Sequence, residues 1–161
     1  MRISRSVDSG KRPDEDSPVV GRLLGIDYGT KRVGVALSDP LGVIAGGAGT
    51  LANDAVLLGR LAEMVRGEQV VRVVVGMPYA LDGGKGAKAV EVEAFIEELR
   101  KHVSVGIDTW DESFTSVDAH RAFIDTGMKR KKRRQKPRVD EMAARLMLQE
   151  YLNHHNTKRN P

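Results

Sequence analysis

A chain of 161 residues suffices for one domain that buries roughly two-thirds of its unfolded surface, so neither disulfides nor a structural zinc are required. It contains no cysteine, which excludes disulfides, thiolate metal sites and cysteine nucleophiles. The formal net charge is +4, yet residues 129–138, KRKKRRQKPR, hold eight Lys or Arg and no acid; without those eight charges the other 151 residues stand at −4. One concentrated cationic segment on a mildly acidic protein suits a polyanion such as nucleic acid, although a solvated loop, an anionic membrane surface or a targeting signal uses the same residues.

Residues 1–20, MRISRSVDSGKRPDEDSPVV, mix charge, Ser and Pro and read as a disordered tail, without the apolar stretch of a secretory signal. No apolar run approaches the roughly 20 residues that span a bilayer. No membrane partner is expected, and the absence of cysteine fits a cytoplasmic setting.

From residue 22 the pattern turns regular. RLLGIDY (22–28) alternates Leu24, Ile26 and Tyr28 against Gly25 and Asp27, and RVGVALSD (32–39) alternates Val33, Val35 and Leu37. The short GTK turn between them predicts a β-hairpin. GVIAGGAGTL (42–51) reads as a third, glycine-rich strand. Asn53 or Asp54 is expected to cap a helix carrying Val56, Leu57, Leu61, Met64 and Val65 on its apolar face. The run VVRVVV (70–75) predicts a strand buried on both faces. After the turn-rich GMPYALDGGKG, residues 87–101 set Ala89, Val92, Phe95, Ile96 and Leu99 on one helical face. Val103, Val105, Ile107 and Thr109 alternate as a strand that runs into Asp111 and Glu112. A helix is expected to open at Thr115 and close at Gly127. Past the basic segment, Val139, Met142, Ala143, Leu146 and Tyr151 mark a last helix, and residues 154–161 are expected to fray. An antiparallel start passing into βαβ crossovers implies one α/β domain over 21–153, a mixed five-stranded sheet flanked by helices.

Three acids stand out. Asp27 interrupts an apolar strand between Gly25 and Gly29, which would let another backbone or a phosphate approach. Glu112 lies beside Asp111 where the last strand's alternation stops. Asp140 falls in the first turn of the last helix, where the helix dipole also favours it. Taken singly, each has an ordinary structural explanation. Together, hard oxygen donors without cysteine or a histidine set suit Mg²⁺ or Mn²⁺, one or two ions. Two such ions about 3.5–4 Å apart activate a water and stabilise the leaving oxygen of a phosphodiester.

The blocks GIDYGTKRVGVALSD (25–39), VVGMPYALDGGKG (74–86), DES with Thr115 (111–115) and VDEMAARLMLQEYL (139–152) resemble the YqgF/RuvX family in order and across nearly all of residues 22–152. That family consists of bacterial ribonuclease H-like proteins described as Holliday-junction resolvase-like or as pre-16S rRNA nucleases. The resemblance implies a ribonuclease H-like fold, with Asp27, Glu112 and Asp140 as metal-binding catalytic acids. It implies Lys31 and Arg32 beside the metals near the scissile phosphate, and Gly76, Pro78 and Gly83 shaping a loop. Where the family has Asp-Glu-Arg, this chain has Asp111-Glu112-Ser113, which is expected to weaken a substrate contact or change selectivity, with the basic segment compensating.

Other readings fit less well. YALDGGKG lacks the first Gly and the final Ser or Thr of a Walker A loop. GIDYGTK also resembles the first phosphate hairpin of actin-like ATPases and sugar kinases, but those need two such domains. Of the four histidines, His102 ends a helix and His154 and His155 lie in the expected fraying tail, so no catalytic or metal-binding histidine pair is expected, and no G-x-S-x-G elbow is present. With aromatics at 4%, base stacking on a single strand gives way to phosphate contacts and shape readout. The expected function is therefore a metal-dependent endonuclease acting on structured nucleic acid. Its backbone would be anchored by Lys31, Arg32, Lys129, Arg130, Lys131, Lys132, Arg133, Arg134, Lys136 and Arg138. The preferred substrate is the 5′ end of pre-16S rRNA. A four-way DNA junction is the alternative, as is a non-catalytic nucleic-acid-binding or transcription-associated factor. The protein is expected as a monomer or a homodimer; junction resolution, with two symmetric cuts, requires the dimer.

Overall fold

The computed structural model describes residues 20–79, 84–112 and 136–159. Strands β1 (Arg22–Asp27), β2 (Arg32–Ser38), β3 (Ala45–Ala52), β4 (Val70–Met77) and β5 (Gly106–Asp111) form one sheet in the order β3-β2-β1-β4-β5. β1 to β3 run antiparallel, while β4 is parallel to β1 and β5 is parallel to β4. Helices α1 (Leu57–Gly67), α2 (Ala87–Arg100) and α3 (Lys136–Arg159) complete the described elements. This is the mixed α/β sheet that the sequence predicts. The helix expected over 115–127 and the basic residues 129–134 lie outside the described residues.

The sheet is covered on both faces. Leu24, Ile26, Val33, Val35, Val73 and Val75 point toward α1 and α2, where Leu61, Val65, Val92, Phe95 and Leu99 meet them. Leu23, Ala36 and Val74 point the other way, toward Ala144, Met147, Leu148, Tyr151 and Leu152 of α3. Two-sided burial explains why β1, β2 and β4 read as almost continuous apolar runs. Burying a single large aliphatic side chain in such a core contributes about 1.5–3 kcal/mol.

Several boundaries depart from the sequence pattern, each for a local reason. β3 begins at Ala45 because the Asp39 carboxylate accepts the backbone N–H groups of Leu41, Val43 and Ile44 and so closes the preceding turn. Those bonds also hold the Asp39 carboxyl below the usual carboxylate range. β5 begins at Gly106; the N–H groups of His102 and Val103 still bond back to Leu99, and Val103 and Val105 pack on the core before the ladder starts. Neither Asn53 nor Asp54 is the N-cap of α1, which is Val56 without a side-chain cap. Asp54 accepts the Val56 N–H in the turn before the helix, and Asn53 Nδ2 donates to the Gly29 carbonyl at 2.8 Å. α3 starts at Lys136 with Pro137 in its first turn, where a missing N–H costs nothing. It continues to Arg159, so residues 154–159 are helical and not a frayed tail. The reason is aromatic packing: His154 lies 5.3 Å from the Trp110 ring and His155 lies 4.1 Å from Tyr151.

Beneath this cluster, buried Arg72 donates to the Tyr151 hydroxyl at 3.2 Å, and that hydroxyl donates to Asp108 Oδ2 at 2.8 Å. The chain Arg72–Tyr151–Asp108 thereby ties β4, α3 and β5 together at the end of α3 away from Asp140. Among the described residues, no helix is long and apolar enough to cross a membrane.

Candidate active site

Asp27 is the last residue of β1, and strand alternation puts its side chain on the α3 face with that of Leu23, the face on which bare Gly25 meets Leu148. Its partner across the hairpin is Gly34, and on the other side the β1–β4 register brings Ile26 opposite Val75, one residue before Gly76. The acid therefore stands between two glycines on neighbouring strands. Both are occupied spaces. A Cβ on Gly34 would overlap the carbonyl oxygen of Asp140 and lie 3.1 Å from the Glu141 nitrogen, so only glycine lets the α3 backbone rest on the sheet there. A Cβ on Gly76 would fall 2.6 Å from Glu112 Oε1. Farther along α3, Gly25 makes room for Leu148 in the same way. Gly76 is thus a strand residue beneath Glu112, and not part of a loop. Gly83 and Ser113 lie outside the described residues.

These close approaches bring the three sequence-predicted acids to one end of the sheet. Asp27 and Glu112 share a side-chain hydrogen bond. Burial, then the Glu112 charge and that hydrogen bond, with a smaller contribution from Asp140, push the Asp27 carboxyl up to about 7. The opposing cation is Lys88, in the first turn of α2, which favours the Asp27 carboxylate. Sequence reasoning missed Lys88, because its distance from Asp27 along the chain hides their proximity across the sheet end. Asp140 is the fifth residue of α3 and so sits in the second turn, not the first.

Of the predicted basic residues, Lys31 is exposed in the β1–β2 turn, where its carbonyl accepts the Asn53 N–H at 3.0 Å. With the Asn53–Gly29 bond, this clamps the turn against the end of β3. Arg32 opens β2, and its Nε donates to Asp140 Oδ2 at 3.1 Å. Lys136 and Arg138 belong to the first turn of α3, while Lys129, Arg130, Lys131, Lys132, Arg133 and Arg134 fall outside the described residues.

Residues 21–154 match the RuvX family, described as Holliday junction resolvase. The chain belongs to the RuvX family. A relative from Desulforamulus reducens, named "Putative pre-16S rRNA nuclease", is 40% identical over 133 residues, covering 81% of this chain and 96% of the relative. A protein of the same name from Clostridium acetobutylicum is 41% identical over 134 residues, covering 82% and 98%. Among solved structures, T. thermophilus RuvC in complex with a Holliday junction substrate superposes with a TM-score of 0.52 at 11% identity, over 85% of this chain and 97% of that one, a likeness of fold. RuvX membership and these relatives place the chain among nucleases, hydrolases of phosphodiester bonds.

Asp27 and Glu112 bring together hard carboxylate oxygens, the donor type that suits a divalent cation. Burial and the neighbouring Glu112 charge disfavour the ionised Asp27 carboxyl, a penalty that a bound divalent ion would offset. Among the described residues, however, no three His, Asp or Glu side chains form a ready ligand set. Asp140 is turned to Arg32 instead.

Proposed function

We propose that this RuvX-family chain is a divalent-metal-dependent endonuclease of structured nucleic acid, with the 5′ end of pre-16S rRNA as its substrate. The observation that carries the reading is the placement of Asp27, Glu112 and Asp140 at one end of the sheet through the glycine positions 34 and 76, with the Asp27 carboxyl pushed up by burial and by Glu112. Asp27, Glu112 and Asp140 would hold Mg²⁺ or Mn²⁺, one ion or two. Bound there, the metal supplies an activated water and neutralises charge on the leaving oxygen. The remaining work falls to the chain. Lys31 and Arg32, presented by the clamped β1–β2 turn, neutralise and orient the phosphate at the reacting linkage. Lys88 adds positive charge on the α2 side. Residues 129–138 anchor the flanking backbone by counterion release, which makes binding depend on salt more than on base sequence. A second substrate, a four-way DNA junction, is favoured by the description of the family itself.

End-labelled pre-16S leader RNA and a four-way DNA junction, incubated side by side in Mg²⁺, Mn²⁺ or EDTA with wild type and Asp27→Asn, test the reading. Metal-dependent cutting of the RNA, lost in Asp27→Asn, is the expected result. Cutting of the junction alone would reassign the substrate. Tight binding without cutting in any metal would refute catalysis and leave a binding factor.

A further inference from the structure

Arg32 and Asp140 are far apart in sequence and are joined by one hydrogen bond from Nε, 3.1 Å long, between side chains 36% and 31% exposed. The Asp140 carboxylate is engaged by this bond while the α3 backbone that carries it rests directly on Gly34 beside Asp27, and among the described residues no three acids form a ready set. The bond consumes one donor of the guanidinium fork, a group whose planar geometry matches a phosphate. A pair about one-third exposed and joined by a single bond is also easily exchanged for another anion. We propose that Arg32 is a phosphate-operated latch: in the free protein it holds Asp140 away from Asp27 and Glu112, and a substrate phosphodiester, by engaging the guanidinium, releases Asp140 to complete the cation site.

The latch rests on the metal-site reading above and adds an order to it. Substrate and metal bind cooperatively because each favours the released Asp140, and linkage requires the coupling to act in both directions. The ion is thereby held fully when a phosphodiester is in place, which restrains metal-driven chemistry in the empty enzyme.

Calorimetric titration of Mn²⁺ into the full-length chain without nucleic acid, for wild type, Arg32→Gln, Asp140→Asn and the double variant, tests this. Arg32→Gln is expected to tighten Mn²⁺ binding by about fivefold or more, the lower range of typical coupling. On the Asp140→Asn background the same substitution is expected to change little. Excess dimethyl phosphate, the simplest phosphodiester, should move the wild-type affinity toward that of Arg32→Gln and leave the variant unchanged. Equal Mn²⁺ affinity in wild type and Arg32→Gln overturns the latch while the metal site stands. An equal gain on both Asp140 backgrounds also overturns it, since the effect would then be bulk charge. No response of wild type to dimethyl phosphate overturns phosphate release. Mn²⁺ binding by neither protein instead overturns the metal-site reading itself.

Discussion

Gly34 offers the sharpest test of how this site is assembled. In Gly34→Ala the added methyl would overlap the Asp140 carbonyl, and roughly 1.5 Å of separation must be found to reach ordinary van der Waals contact at 3.4 Å. The obstacle is helix backbone, so no rotamer change relieves it. α3 must lift from a sheet face on which Ala144, Leu148 and Tyr151 are packed. Overpacking of this kind costs about 1–3 kcal/mol. For a domain of this size that lowers Tm by about 2–4 °C per kcal/mol. The lifted helix also carries Asp140 away from Asp27, and a misplacement near 1 Å costs on the order of 100-fold in rate. Gly76→Ala is the informative comparison, because its methyl meets the far end of the Glu112 side chain at 2.6 Å. That carboxylate can swing aside, so the variant should keep near-wild-type stability while losing cleavage by a similar factor. Thermal melts and the Mn²⁺-dependent cleavage assay on both proteins decide. If Gly34→Ala melted with wild type and cleaved normally, the close seating of α3 on Gly34 would not be what builds the site.

Other expectations follow from the same structure. An acid whose folded pKa is raised takes up protons on folding, so the Asp27 contribution to metal-free stability is full below about pH 4 and is lost as pH rises through about 7. Asp27→Asn should flatten that decline in urea melts between pH 5 and 8, whereas Lys88→Gln should raise the Asp27 pKa further, read by carboxyl ¹³C titration. Tyr151→Phe leaves Arg72 and Asp108 without their shared hydroxyl and should cost about 1–3 kcal/mol by urea denaturation; an unchanged midpoint would contradict the buried chain of hydrogen bonds. Changing Lys131, Lys132, Arg133 and Arg134 together to Gln should weaken nucleic-acid binding and flatten its salt dependence by roughly 0.7–0.9 log units per lost phosphate contact. Equal binding at every salt concentration would rule that segment out as the anchor.

Much of the architecture was written in local pattern. The alternation in 22–28 and 32–39, the β-branched run at 70–75 and the helical face of Ala89, Val92, Phe95, Ile96 and Leu99 each depend on neighbours a few residues apart, and the strands and helices appear where those patterns lie. The acids Asp27, Glu112 and Asp140 were conspicuous for the same reason, as charges in or beside apolar runs. Element ends were less legible: the Asp39 turn and the histidine packing that prolongs α3 depend on partners that local propensity does not see.

What only the tertiary structure decided is which residues meet. Gly34 faces Asp27 through hairpin register, Gly76 through the parallel ladder, and α3 comes down on the former from more than a hundred residues away. Lys88 near Asp27 and Arg32 on Asp140 are likewise products of chain closure. A sequence specifies side-chain type and local periodicity directly. Close approach across a sheet, and with it the raised Asp27 carboxyl, exists only once the packing has excluded water and fixed the register.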